Sequence, residues 1–161
     1  ALTVVDNTFA GYHQHGEFPV DVFVHSLTKF ASGTGDVMGG AVIANRDVLD
    51  QMRGDWNLFG ATLDPHAAFA LLQGMRTYFL RYRAQSAAAL ELATMLEQHA
   101  AVARVHYPGL ASHPAAALAR AQMRDFGAVV TFDLRAGSDA ARRFADALQL
   151  FTTTASLGST E

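Results

Sequence analysis

Cysteine is absent from the 161 residues, which excludes disulfide staples and thiolate metal sites and accords with a reducing compartment. Lysine is nearly absent: Lys29 stands alone against eleven arginines. No apolar run approaches the roughly 20 residues that span a bilayer. The short run Leu2 to Val5 has no basic flank and meets Asp6 at once, unlike a signal peptide. Neither sign of charge dominates, with 12 basic and 15 acidic residues, so the broad basic face that nucleic acid or an anionic membrane needs is missing. These absences predict a cytoplasmic protein with a small-molecule partner, no nucleic acid and no membrane.

What is present builds cores. Apolar residues make up 50% of the chain, enough at this length for one full core or two small ones. Leu2 to Val5, Val20 to Val24 and Ala41 to Ala44 read as strands buried on both faces. A short helix from Asp47 to about Asn57 follows, and Asp64 with Pro65 signals the cap and first turn of another through Arg76. Between Tyr82 and His99, residues Leu92, Met95, Leu96 and His99 share one stripe, predicting a helix with one buried face. A β-α-β-α series then covers Val102 to Tyr107, Pro114 to Met123, Ala128 to Leu134 and a helix with Ser138 as N-cap. In that last helix Ala141, Phe144, Ala145 and Leu148 repeat the amphipathic spacing. The change of texture places a domain boundary near residue 85, ahead of a smaller α+β or α/β layer. Both ends look abrupt, which suggests a fragment of a longer chain.

The chemistry concentrates in the first forty residues. Lys29 directly follows an apolar strand, and ligands of open α/β sheets bind outside the carboxyl ends of strands. A desolvated lysine there becomes an amine nucleophile suited to condensing with an aldehyde; the plain alternative is one ordinary surface lysine. Asp6 also ends a strand and needs a cationic or hydrogen-bonding partner if buried, or else makes an Asx-type turn with Asn7 and Thr8. Ser26 and Thr28, two apart, would present both hydroxyls on one side of an extended segment, ready for phosphate oxygens. Gly33, Gly35, Gly39 and Gly40 match neither the P-loop nor the dinucleotide fingerprint. His13 and His15 lack a third ligand at a characteristic spacing, so no metal is expected. His25 beside Ser26 lacks the G-x-S-x-G elbow of a hydrolase. Phe9, Tyr12, Phe18, Phe23 and Phe30 read chiefly as core, with one able to border a ligand ring.

Taken together, Val5-Asp6-Asn7-Thr8-Phe9, Val24-His25-Ser26-Leu27-Thr28-Lys29-Phe30 and Gly35-Asp36-Val37-Met38-Gly39-Gly40 resemble the signature of the Cys/Met metabolism PLP-dependent enzymes. That family includes cystathionine synthases and lyases, methionine γ-lyase and the O-acyl-homoserine sulfhydrylases. Gly60-Ala61-Thr62-Leu63-Asp64-Pro65 and Ser156-Leu157-Gly158-Ser159-Thr160-Glu161 look like family segments in the expected order. The resemblance implies an α/β, type I aminotransferase-like PLP-dependent transferase fold. Residues 1–85 would be the C-terminal part of the PLP-binding large domain, and 86–161 the first part of an α+β C-terminal small domain.

The resemblance also implies pyridoxal 5'-phosphate as cofactor. Lys29 would form the internal aldimine, Asp6 would pair with the pyridine nitrogen, Ser26 and Thr28 would bind the phosphate, and Ser156 would lie near the substrate. The implied reaction is β- or γ-elimination or replacement on an amino acid of the homoserine ester, cystathionine, methionine or cysteine class. The implied assembly is a homo-oligomer, a dimer of dimers. The family's upstream stacking tyrosine and downstream carboxylate-gripping arginine have no counterpart here, so the isolated chain is expected to be inactive. A truncated homologue serving as a binding or assembly module is the alternative. The interval from Asp6 to Lys29 is shorter than the family's, which places a difference in the loop Tyr12 to Gly16; Ala31 to Gly35 and Arg83 to Gln85 also depart from the family pattern.

Overall fold

The computed structural model describes residues 1–12 and 18–160. Apolar, β-branched runs supply its first sheet. Val4–Asp6 forms β1 and Val22–Ser26 forms β2, paired in parallel with Asp6 opposite Val24. Gly40–Ala44 forms β3, antiparallel to β2 with Ser26 opposite Gly40, so the sheet order is β1-β2-β3. Because β1 and β2 run the same way, Asp6 and Ser26 finish at the same end of the sheet. Val22, Phe23 and His25 of the central strand are buried, whereas every residue of β1, which lies at the edge of the sheet in this chain, is exposed.

The chain leaves β2 through a single π-helical turn, Leu27–Ala31, whose Leu27 and Ala31 cluster with Leu71 of α2. Asn45 caps α1, Arg46–Phe59, by accepting from the Val48 N–H at 3.1 Å, and Gly60 closes it in the left-handed region at φ 69°. Asp64 caps α2, Pro65–Met75, by accepting from the His66 and Ala67 N–H groups. Next comes α3, Tyr78–Glu97, along which the chain passes from one compact unit to another. The first unit runs from Ala1 to Arg81 and takes in the segment from Leu157; the second runs from Tyr82 to Ser156.

The second unit pairs β4, Val102–His106, antiparallel with β5, Thr131–Leu134, alongside α4, Ala116–Gln122, and α5, Gly137–Asp146. An antiparallel pair with helices makes this layer α+β. Its core centres on Ala89, Ala93, Leu96, Val102, Val105, Tyr107 and Leu110. Tyr107 is completely buried and its hydroxyl donates to the Gly127 carbonyl at 2.8 Å, which satisfies the polar end of an otherwise apolar side chain.

Two expectations are corrected here. The buried stripe of α3 is Tyr82, Ser86, Ala89, Ala93 and Leu96, with Leu92 at its margin, whereas Met95 is 57% exposed and His99 is also exposed. Small residues let neighbouring elements approach closely, so the face marked by alanines is covered in preference to part of the leucine-rich one. Ser138 is not an N-cap: Ala136 holds that position without a side-chain bond, and Gly137 at φ 78° makes the turn into α5. Phe144 of α5 instead meets Phe132 of β5 edge-on at 5.5 Å. Among the described residues, no helix is long and apolar enough to cross a membrane.

Candidate active site

The site begins where two parallel strands end. Asp6 closes β1, and its Oδ1 accepts from the Thr8 N–H at 3.0 Å and from the Thr8 hydroxyl at 2.6 Å. These bonds favour the charged form, so the carboxyl is held below its ordinary range, chiefly by the Thr8 hydroxyl and next by the Thr8 N–H, with a smaller contribution from His25. The same Thr8 oxygen accepts from the Ser26 N–H at 2.9 Å. One hydroxyl thus joins the acid at the end of β1 to the end of β2.

Beyond Ser26 the chain turns immediately. Thr28 and Lys29 lie on the π-helical turn and not on a continued strand, so the expected alignment of the Ser26 and Thr28 hydroxyls along one extended segment does not form. The Thr28 hydroxyl instead accepts from the Gly39 N–H at 3.1 Å, and the N–H groups of Leu27 and Thr28 both donate to the Gly39 carbonyl. The glycine-rich stretch is therefore the partner of the lysine turn. Lys29 is half-buried, and its backbone, at φ −89° and ψ −120°, breaks the helical geometry in the middle of the turn.

Three further pieces hold this turn. Ser32, 1% exposed, donates its hydroxyl to the Thr28 carbonyl at 2.9 Å. Arg81 donates Nη1 to the Phe30 carbonyl at 2.9 Å and Nη2 to the Gly74 carbonyl at 2.9 Å and the Ala31 carbonyl at 3.3 Å. Thr160 donates both its N–H, at 3.0 Å, and its hydroxyl, at 3.2 Å, to the Gly33 carbonyl. Gly158, at φ 85°, lies so close that a Cβ there would sit 2.8 Å from Phe30 N and 3.1 Å from the Lys29 carbonyl carbon. Partial burial lowers the proton affinity of Arg81, a group that still carries its charge at neutral pH.

Four predicted residues, Asp6, Ser26, Thr28 and Lys29, thus fall on the adjoining ends of β1 and β2 and on the turn that follows β2. Ser156 lies in the second unit, exposed, its N–H donating to the Thr154 hydroxyl at 3.4 Å, and the chain runs from it directly into the segment seated on the lysine turn. Phe23 and Phe30 are core, Phe18 is half-buried, Phe9 is 54% exposed, and Tyr12 packs on the buried His25 ring at 4.7 Å. His13 and His15 lie outside the described residues; within those, no cluster of three or more His, Asp or Glu could hold a metal ion. In the sequence Thr8 has only a turn role and Arg81 carries no local signal. A threonine two residues after a strand-end acid is a usable signal for the first; nothing in local spacing links residue 81 to residue 30.

The whole sequence, residues 1–161, matches the family described as Cys/Met metabolism PLP-dependent enzyme. The chain belongs to this family. Methionine gamma-lyase of Pseudomonas putida is 43% identical over 165 residues, an overlap of 100% of this chain and 42% of that protein. O-succinylhomoserine sulfhydrylase of Pseudomonas aeruginosa is 42% identical over 163 residues, 100% of this chain and 40% of that protein. A cystathionine gamma synthase structure from Xanthomonas oryzae pv. oryzae, in complex with aminoacrylate and cysteine, superposes with a TM-score of 0.94 at 43% identity, over 100% of this chain and 42% of that one. The chain spans about two fifths of the length of these relatives. Its fold is a part of the type I aminotransferase-like fold of PLP-dependent enzymes.

Proposed function

We propose that the complete protein is a PLP-dependent lyase or transferase of sulfur amino-acid metabolism. It acts by β- or γ-elimination or replacement on an amino acid that bears sulfur or an activated hydroxyl. The observation that carries this reading is the grouping of an anionic carboxylate, two hydroxyls and the chain's sole lysine around adjoining strand ends. The relatives named methionine gamma-lyase, O-succinylhomoserine sulfhydrylase and cystathionine gamma synthase support the reaction class.

The residues fit pyridoxal 5'-phosphate. When bound, the cofactor supplies an aldehyde for amines and a ring that takes up electron density as the substrate loses its α-proton. Asp6 would hold the ring nitrogen in its protonated form, a task that requires the ionised carboxylate the Thr8 bonds favour. Ser26 and Thr28 would take the phosphate; the Thr28 hydroxyl accepts from the Gly39 N–H at 3.1 Å and donates to the Gly39 carbonyl at 3.4 Å, a long bond that its proton would exchange for one to an anion. Lys29 would attach the cofactor and, once displaced by substrate, serve as a primary amine that carries protons between substrate carbons. Ser156 would border the substrate. Residues 1–85 would complete the cofactor domain and 86–161 begin the small domain.

The complete protein is read as a cytoplasmic homo-oligomer, a dimer of dimers. The exposed apolar surface of α1, where Leu58 and Phe59 are each 79% exposed, fits cover by the rest of the complete protein or by a partner subunit. Adding pyridoxal phosphate to the complete protein is expected to give a visible absorbance band that Lys29→Ala lacks. Absence of any band in the natural protein would favour a non-catalytic assembly module instead.

A further inference from the structure

We propose that Arg81 is a positioning residue for Lys29, acting through the backbone of the turn that carries it; this rests on the reading of Lys29 given above. The turn has an inherent defect. Its helical geometry breaks at Lys29 itself, and the chain then reverses through Gly33 at φ 70°. The Ser32 N–H still reaches the Leu27 carbonyl at 3.0 Å and the Gly33 N–H reaches the Lys29 carbonyl at 3.2 Å. The next two carbonyls, of Phe30 and Ala31, are taken by the Arg81 guanidinium.

A planar guanidinium with donors fixed in a fork sets the orientation of both peptide groups at once, which a point-like ammonium cannot do. The fork is itself anchored. Its Nε donates to the Thr77 hydroxyl at 3.0 Å and its Nη2 to the Gly74 carbonyl at 2.9 Å, which ties the lysine turn to the end of α2. The Cα face of Gly33 is open to the guanidinium, since a Cβ there would overlap Arg81 Cζ and Nη1. On its carbonyl side Gly33 is gripped by Thr160. The Phe30–Ala31 and Ala31–Ser32 peptide groups, the second and third after the Lys29 Cα, are thereby fixed from a helix 50 residues further along the chain, and with them the direction in which the lysine leaves the backbone.

The test uses the complete protein with added pyridoxal phosphate and the variants Arg81→Lys, which alone decides the positioning role, and Gly33→Ala, which displaces the guanidinium while leaving Arg81 present and also strains the left-handed backbone of the turn. Both are expected to keep a Lys29-dependent visible band, with the pH midpoint of that band displaced by about half a unit or more and kcat reduced about 10- to 100-fold at a KM within about threefold. Hydrogen exchange, with no cofactor added, is expected to quicken across residues 30–33 and to remain unchanged in the core of the second unit. A natural-protein band with an Arg81→Lys variant that matches it in midpoint and kcat, or that fails to fold, overturns the positioning role alone. No band in the natural protein overturns the reading of Lys29 and this inference with it.

Discussion

Thr8 and Asp6 form a coupled pair in which the threonine hydroxyl donates to the carboxylate at 2.6 Å while the same oxygen receives the Ser26 N–H at 2.9 Å. The acid that would face a cofactor nitrogen is therefore also part of the join between β1 and β2. Electrostatic and mechanical roles share one side chain.

Thr8→Val keeps the volume and removes the hydroxyl, leaving a half-buried N–H at Ser26 without its acceptor. A loss of about 1–3 kcal/mol is expected. The folded Asp6 is more acidic than the unfolded one, so its contribution is present above about pH 4 and fades as pH falls through the lowered folded value. The variant relaxes that shift. The difference in melting temperature between natural protein and variant is therefore expected to be larger at pH 7 than at pH 3, and a difference that grows on acidification would refute the assigned cause.

Gly158→Ala combines a left-handed backbone with a Cβ pressed against the Lys29 to Phe30 peptide. Strain of that kind costs about 1–3 kcal/mol. Urea unfolding should show at least that loss, together with slower lysine-dependent uptake of pyridoxal phosphate. Unchanged uptake would separate the C-terminal segment from the lysine turn.

Gly74 lies inside α2, where alanine would ordinarily gain up to about 1 kcal/mol in helix propensity. Here a Cβ would overlap the Ser32 carbonyl oxygen, a backbone atom that cannot swing aside. Overpacking of about 1–3 kcal/mol outweighs the propensity gain. Gly74→Ala is expected to destabilise, and a stabilised variant would show that α2 does not seat on the turn as described.

The two helix caps read from the sequence make a controlled pair. Asp64 accepts from two N–H groups, so Asp64→Ala should cost about 1 kcal/mol. Ser138 caps nothing in the described structure, so Ser138→Ala should fall within about 0.5 kcal/mol of the natural protein. Equal losses in chemical denaturation would mean that α5 begins elsewhere.

Legibility followed the range of the interactions. The Asp64-Pro65 start and the three strands of the first sheet are written in adjacent residues and were readable. Ser138 satisfied the same local rule, yet Gly137 had already made the turn into the helix. On α3 the leucines drew attention to Leu92, Met95, Leu96 and His99, whereas burial tracks Ala89, Ala93 and Leu96 because close approach favours small side chains. At the site, the placement of Asp6, Ser26, Thr28 and Lys29 at or just beyond strand ends was legible, though not the π-helical turn that carries the last two. The grip of Arg81 on Phe30 and of Thr160 on Gly33 was not, because those partners are separated by 51 and 127 residues and no periodicity links them.

The decisive measurement is borohydride reduction of the complete protein with pyridoxal phosphate, followed by tryptic mass mapping. If Lys29 carries the cofactor, trypsin no longer cuts after it, and a phosphopyridoxyl-modified peptide should run on through Lys29 to Arg46. A label found on any other residue, with Lys29 cleaved normally, would contradict the assignment on which the chemistry stands.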